Sequence, residues 1–367
     1  MNLQQLYEWT AELERQFGHL KKWQVRGLAL MSLGIIVTRC CVLAQMAEEL
    51  GMLGGISSVN KRLKRWVGNA DIDVMGCCER WTGWVLRRYA STDVVVLVDE
   101  TKLGQWVGVL KISLAYGGRA IPLFWRCYTA NQAEGYPQQG QVLLVWQLVA
   151  RVQACCDARQ RLLVQMDMGL GNSSAMLRAL NHLGVDYLVR VKPQSTFTSR
   201  RGKTQALHQI AQRGRALSLA GWLFQSRMPV HLHIVWEKAY DQPWCLVTNT
   251  RHVRGRAYGY RVWQEESFRD LKSGGWHWQG ARLRIPDRAE RLLLAMSIAY
   301  GWILTLGSLA FDLPVALRRQ LGSADDFRRY SLFRLGIRFF KRLSAIAREQ
   351  IIYDLNFAQP DCLPRLC

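Results

Sequence analysis

The chain has no Cys-x-x-Cys pair and no Cys/His spacing of the kind that holds zinc, although it carries ten cysteines. Three pairs are adjacent, Cys40-Cys41, Cys77-Cys78 and Cys155-Cys156, where neither thiol readily bridges its neighbour. They read as small buried hydrophobes in a reducing cytoplasm. The opening Met1-Asn2-Leu3-Gln4-Gln5-Leu6 lacks the basic-then-apolar layout of a secretory leader, so export is not expected. Acid is scarce: 28 Asp+Glu stand against 49 Lys+Arg, a formal net charge of +21. A field of that sign and size favours a polyanionic partner, and the excess of arginine over lysine fits phosphate recognition by planar forks. Long uncharged runs are also missing, except for Leu292 to Phe311. That run could span a bilayer, yet it holds Ser297, Gly301, Thr305, Gly307 and Ser308 and has no companion, so a buried core helix is expected.

With 367 residues, 49% of them apolar, the chain has room for two or three domains and a large core. Residues 1–90 read as a helical N-terminal DNA-binding domain, with apolar helical spacing over Gln4 to Phe17 and Trp23 to Leu50. Ser57-Ser58 then suits the cap of a short basic helix carrying Lys61, Arg62, Lys64 and Arg65. The Gly51 to Gly55 turn between the two gives the outline of a helix-turn-helix, although a solvated basic face fits the same residues.

At residue 93 the period changes. Val94-Val95-Val96-Leu97-Val98-Asp99 is a β-branched run suited to a strand buried on both faces, ending on a carboxylate. Gln105 to Tyr116 and Arg119 to Cys127 follow as strands around Gly117-Gly118, a hairpin pair. Gln141 to Cys155 is helical; Leu162 to Met166 is a second buried strand ending on Asp167; Asn172 or Ser173 caps a helix from Ser174 to Leu183; Tyr187 to Val191 is a fifth strand. Three strands, helix, strand, helix, strand is the ribonuclease-H-like order, and ligands in α/β sheets gather at the carboxyl ends of strands. The expected architecture is α/β: a ribonuclease-H-like core over 91–192 and 251–311, interrupted by a β-rich insertion over 193–250 and followed by a basic helical C-terminal region over 312–367.

Between Tyr258 and Lys272, the residues Tyr258, Arg261, Glu265, Phe268 and Lys272 fall at i, i+3, i+7, i+10 and i+14, one face of an α-helix. Such a row is poor material for an apolar seam. It suits a carboxylate that holds a metal between cations that hold phosphates. Arg261 and Glu265, at i, i+4, also satisfy an ordinary surface ion pair. Three acids stand out, Asp99, Asp167 and Glu265, the minimal set for two hard cations about 3.5–4 Å apart in phosphodiester chemistry.

Tyr-x2-Arg-x3-Glu-x6-Lys, matched by Tyr258, Arg261, Glu265 and Lys272, resembles the signature of DDE transposases of bacterial insertion sequences, of the insertion-sequence-four type. Val98-Asp99-Glu100-Thr101 looks like the family's first-aspartate segment, and Met166-Asp167-Met168-Gly169-Leu170 like its second, with Met168 where Arg is usual. Tyr187 to Lys192 and Trp244 to Asn249 are similar to family segments as well. The resemblance runs from about residue 56 to about 311. It implies that Asp99, Asp167 and Glu265 hold two Mg²⁺ ions, with Mn²⁺ as a substitute, and catalyse cleavage of the element ends followed by transfer of the 3′-hydroxyl to target DNA. Tyr258, Arg261 and Lys272 would grip phosphates. Arg190 and Lys192 would also contact DNA, and Trp244 or Trp236 would stack on a flipped base. A homodimer on double-stranded DNA is implied. A catalytically silent DNA-binding descendant and a ribonuclease-H-like structure-selective nuclease are the alternatives.

Overall fold

Five helices lead the chain: α1 (Leu3–Gln16), α2 (Lys22–Thr38), α3 (Leu43–Glu49), α4 (Ile56–Val67) and α5 (Val74–Arg88). The computed structural model describes residues 3–132, 135–136, 140–272, 274–322, 327, 329–346, 355 and 357. The single helix expected over Trp23 to Leu50 is divided, because Arg39 takes a left-handed backbone (φ 54°). The next residues are drawn into tertiary bonding instead, with Cys41 N donating to Trp276 O at 2.9 Å. Ser57 and Ser58 do not cap α4. Gly54 and Gly55, at φ 139° and 83°, make the turn, and the helix starts at Ile56.

The sheet begins with β1 (Asp93–Leu103), β2 (Val107–Tyr116) and β3 (Arg119–Thr129), antiparallel in turn. Gly117 and Gly118 take positive φ (52° and 80°), the geometry that lets a two-residue loop follow the strand twist. Then come α6 (Gly140–Cys155), β4 (Arg161–Met166), the one-turn α7 (Met168–Gly171), α8 (Ser174–Leu183) and β5 (Asp186–Arg190). Ser173 caps α8 by accepting from Met176 N. β4 lies parallel to β1, and β5 parallel to β4.

Residues 193–250 extend this sheet. β6 (Thr196–Ser199), β7 (Thr204–Ala206), the one-turn α9 (Leu207–Ile210), β8 (Ala216–Leu223), β9 (Met228–Val235) and β10 (Trp244–Thr248) complete ten strands in the order β3-β2-β1-β4-β5-β10-β9-β8-β6-β7. β10 joins the rest by pairing antiparallel with β5. The last described helices are α10 (Arg261–Leu271), α11 (Pro286–Asp312), α12 (Val315–Leu321) and α13 (Leu332–Ile346).

α11 is the axis of the core. It is the one described helix long and apolar enough to cross a membrane, and 94% of its apolar window is buried within the molecule. Trp9 of α1 stacks on Trp302 at 5.0 Å, and Arg291 Nε donates to Val67 O at 2.6 Å, so the N-terminal helices share this core. From the other side, Phe333, Leu335, Phe339 and Phe340 of α13 are buried, while Arg334, Lys341 and Arg342 face solvent. α11 and α13 cross with backbones touching: a Cβ at Gly307 would strike the Leu332 carbonyl, and one at Gly336 the Ile303 carbonyl. Six of the eight cysteines among the described residues are buried, and none of the eight is bridged.

Candidate active site

The parallel ladder between β1 and β4 ends at Val98↔Met166. The next residues, Asp99 and Asp167, therefore sit side by side at the carboxyl edge of these strands. Asp99 was expected to end its strand. Instead β1 runs on to Leu103, because β2 pairs with it throughout, Asp99 opposite Lys111 and Leu103 opposite Val107. Asp167 does end its strand and caps α7, accepting from Leu170 N at 3.1 Å. Burial pushes the Asp99 carboxyl above its ordinary range, against the pull of Arg261, and the charge of Asp167 pushes the same way. Glu100 is raised too, first by burial and also by Asp99 and Asp167, so it belongs to the same acidic edge.

The expected fifteen-residue stripe is not one helix. Gly255–Tyr260 forms a 3₁₀ turn, α10 starts at Arg261, and Lys272 lies past its last turn. Two glycines, Gly255 and Gly259, loosen the first segment, and Gly274-Gly275 follow the second. The cations still converge. Arg261 does not pair with Glu265; it turns inward, with Nη2 3.2 Å from Asp99 Oδ2 and Nη1 donating to Val98 O at 3.2 Å. Lys272 Nζ donates to Thr101 Oγ1 at 2.6 Å and to Lys102 O at 3.2 Å, two and three residues beyond Asp99. Burial lowers the Lys272 ammonium's pKa while Asp99 opposes that shift. Tyr258 is buried; its ring meets that of Trp244 edge-on at 5.3 Å, and burial pushes its phenol up to about 12. Arg190 is half-buried nearby, and its Nε has no hydrogen-bond partner among the described residues.

Glu265 and Glu266 are told apart by their surroundings. Glu266 lies 3.7 Å from Arg119 and 2.8 Å from Arg269. Glu265 is exposed and has no hydrogen bond or ion pair among the described residues. Asp99 and Asp167 fit a divalent cation by their hard oxygen donors, but among the described residues no three of His, Cys, Asp or Glu converge on one point. The pair fits a metal, and the third ligand is not assembled around it.

Further residues expected to touch DNA lie apart from this edge. Lys61, Arg62, Lys64 and Arg65 are all exposed on α4, whose opposite face buries Val59, Leu63 and Trp66. Lys192 is exposed just past β5. Trp236 is half-buried, its indole nitrogen donating to Tyr240 O at 2.9 Å.

Two features of the site are not announced by the sequence motifs. Lys111 is wholly buried on β2 opposite Asp99, 4.1 Å from the centre of the Phe268 ring, and its Nζ has no hydrogen-bond partner among the described residues. Burial lowers its pKa to about 7, while Asp99 opposes that shift. Its one signal in the sequence is a lone charge in the run Val107-Gly108-Val109-Leu110-Lys111-Ile112. The second is the buried anchor of α10: Arg119 Nε lies 2.5 Å from Asp270 Oδ2, and the Tyr300 hydroxyl donates to the same oxygen at 2.9 Å. Ser267 Oγ accepts from Ala120 N. Arg119 and Asp270 are 151 residues apart in sequence, with no local pattern to announce them.

No protein-family model matches the chain, and no curated protein does. Among solved structures, the crystal structure of human ENDOV is similar over 60% of this chain and 96% of that one, at 13% identity and a TM-score of 0.23, a likeness too distant to carry chemistry from one to the other.

Proposed function

We propose that the chain is a DNA transposase of the DDE kind, cleaving the ends of an insertion sequence and joining the freed 3′-hydroxyls to target DNA. The observation that carries this reading is the in-register pair Asp99 and Asp167, with Arg261 on one carboxylate and Lys272 anchored beside it. The strand order β3-β2-β1-β4-β5, with β1, β4 and β5 parallel, supports a ribonuclease-H-like core. The net charge of +21 supports a polyanionic substrate.

Asp99 and Asp167 would hold Mg²⁺, with Glu265 as the third carboxylate of the proposed cage. The bound ions would supply activation of the attacking oxygen and neutralisation of charge on the leaving oxygen. In the first step a water oxygen bonds to phosphorus and the bond to the 3′-oxygen breaks, leaving a 3′-hydroxyl. In the second, that hydroxyl attacks a target phosphodiester in line and displaces its 3′-oxygen. Arg261 neutralises Asp99, and Lys272, held by Thr101, would offer a point charge to a phosphate. Tyr258 packs edge-on against Trp244. Two chains, one per element end, would act together.

The test is cleavage of terminal inverted-repeat DNA by the full chain with Mg²⁺. Products that persist in Asp99→Ala, Asp167→Ala and Glu265→Ala overturn the reading. The exposed Glu265 favours a second reading, a DNA-binding protein without catalysis, which tight binding without nicking in Mg²⁺ or Mn²⁺ would establish. Nicking without any strand-transfer product would assign the site to a nuclease.

A further inference from the structure

The tip of the β1–β2 hairpin holds out an aromatic side chain that the core does not use. Trp106 is 52% exposed, and Arg284, ahead of α11, lays its guanidinium 4.5 Å from the ring centre. The tip is braced. Asn131 Oδ1 accepts from Lys102 Nζ at 2.7 Å, Asn131 Nδ2 donates to Gln105 O at 3.2 Å, and Ala130 N donates to Trp106 O at 2.9 Å. The ring is thus presented on a fixed platform, with little ordering left for a ligand to impose.

Its surroundings are cationic. Lys102 is exposed, as are Arg282, Arg284 and Arg288, with Asp287 the one acid in that segment. The platform is also continuous with the candidate site. Lys102 lies three residues along β1 from Asp99, about 10 Å at strand spacing, and its carbonyl accepts from Lys272 Nζ.

A flat indole with a guanidinium on it suits the face of a nucleobase, and cations beside it suit the phosphates. In a duplex those base faces are covered by their neighbours, so only unpaired bases can use the ring. Phosphates alone would need no indole. We propose that the Trp106–Arg284 stack receives unpaired bases of a DNA strand adjoining the Asp99–Asp167 site, with Lys102 and the neighbouring arginines on its phosphates. The inference rests on the reading of that site as one acting on DNA.

Fluorescence anisotropy of the full chain would test it with three DNAs: a blunt duplex, the duplex with a short single-stranded extension, and the duplex with an abasic extension of equal length. The wild type is expected to prefer the base-bearing extension over the abasic one by about tenfold, the scale of one stacked base. Trp106→Ala should erase that preference, and Trp106→Phe should retain part of it. Arg284→Ala should weaken both extended DNAs and make binding less salt-dependent. Binding of the blunt duplex with no preference between base-bearing and abasic extensions overturns this inference alone, and assigns the patch to phosphates or to a protein surface. Failure to bind any of the three overturns the reading of the site as well.

Discussion

Asp99 and Asp167 are neighbours because the parallel ladder between β1 and β4 stops one rung before them, at Val98 and Met166. Strand pairing, rather than any contact between the acids, aligns them, and Arg261 then pairs with Asp99. Replacing either acid by Asn keeps the shape and removes the charge. Asp99→Asn and Asp167→Asn are each expected to lower single-turnover DNA cleavage by on the order of 10³-fold or more, with circular dichroism unchanged.

The two glutamates of α10 separate by the same reasoning. Glu265→Gln should abolish cleavage and leave the melting temperature near that of the wild type, since the side chain is exposed. Glu266→Gln should lower the melting temperature, because Arg119 loses one of its carboxylates. Parallel cleavage and melting measurements check both, and a loss of cleavage in Glu266→Gln alone would reverse the assignment.

Lys111 makes stability depend on pH with a defined sign. The unfolded chain holds that proton up to the ordinary 10.5, while the folded chain releases it near about 7. The unfolded state therefore binds more protons between these values, and Lys111 makes stability rise with pH across that window. Lys111→Met should stabilise the protein at pH 7 by on the order of 1–3 kcal/mol, and its advantage should shrink towards pH 10. Urea unfolding in a chelating buffer at several pH values measures it.

Gly307 and Gly336 permit the close crossing of α11 and α13. Gly307→Ala or Gly336→Ala must push the helices apart and should cost about 1–3 kcal/mol, read from the denaturant midpoint. The pair of substitutions should cost less than the sum of the two, since one separation relieves both clashes.

On α4, removing charge should act on binding without touching the fold, because Val59, Leu63 and Trp66 anchor the opposite face. Lys64→Ala with Arg65→Ala should weaken DNA binding and flatten its salt dependence by roughly 0.9 for each phosphate left without its cation, as measured by anisotropy over a salt series.

What the sequence determined by itself was local. A β-branched run marked β1 and an apolar run marked β4 as buried strands, Asp167 was located at the end of its strand, Gly117-Gly118 marked the hairpin, Asn172 or Ser173 marked the start of α8, and the interrupted apolar run marked α11 as core. Those signals rest on interactions within a few residues, where side-chain period and backbone preference decide the outcome. Tertiary structure decided the partners. Arg261 had Glu265 one turn away and chose Asp99 and Val98, the latter 163 residues distant, because the helix face it occupies is pressed on the sheet edge. The same pressure divided α2 at Arg39, carried β1 past Asp99 along β2, and enclosed Lys111 without an acceptor. For Arg261 desolvation sets the choice: a buried polar group is driven to a partner wherever packing leaves one, and packing is a property of the whole chain.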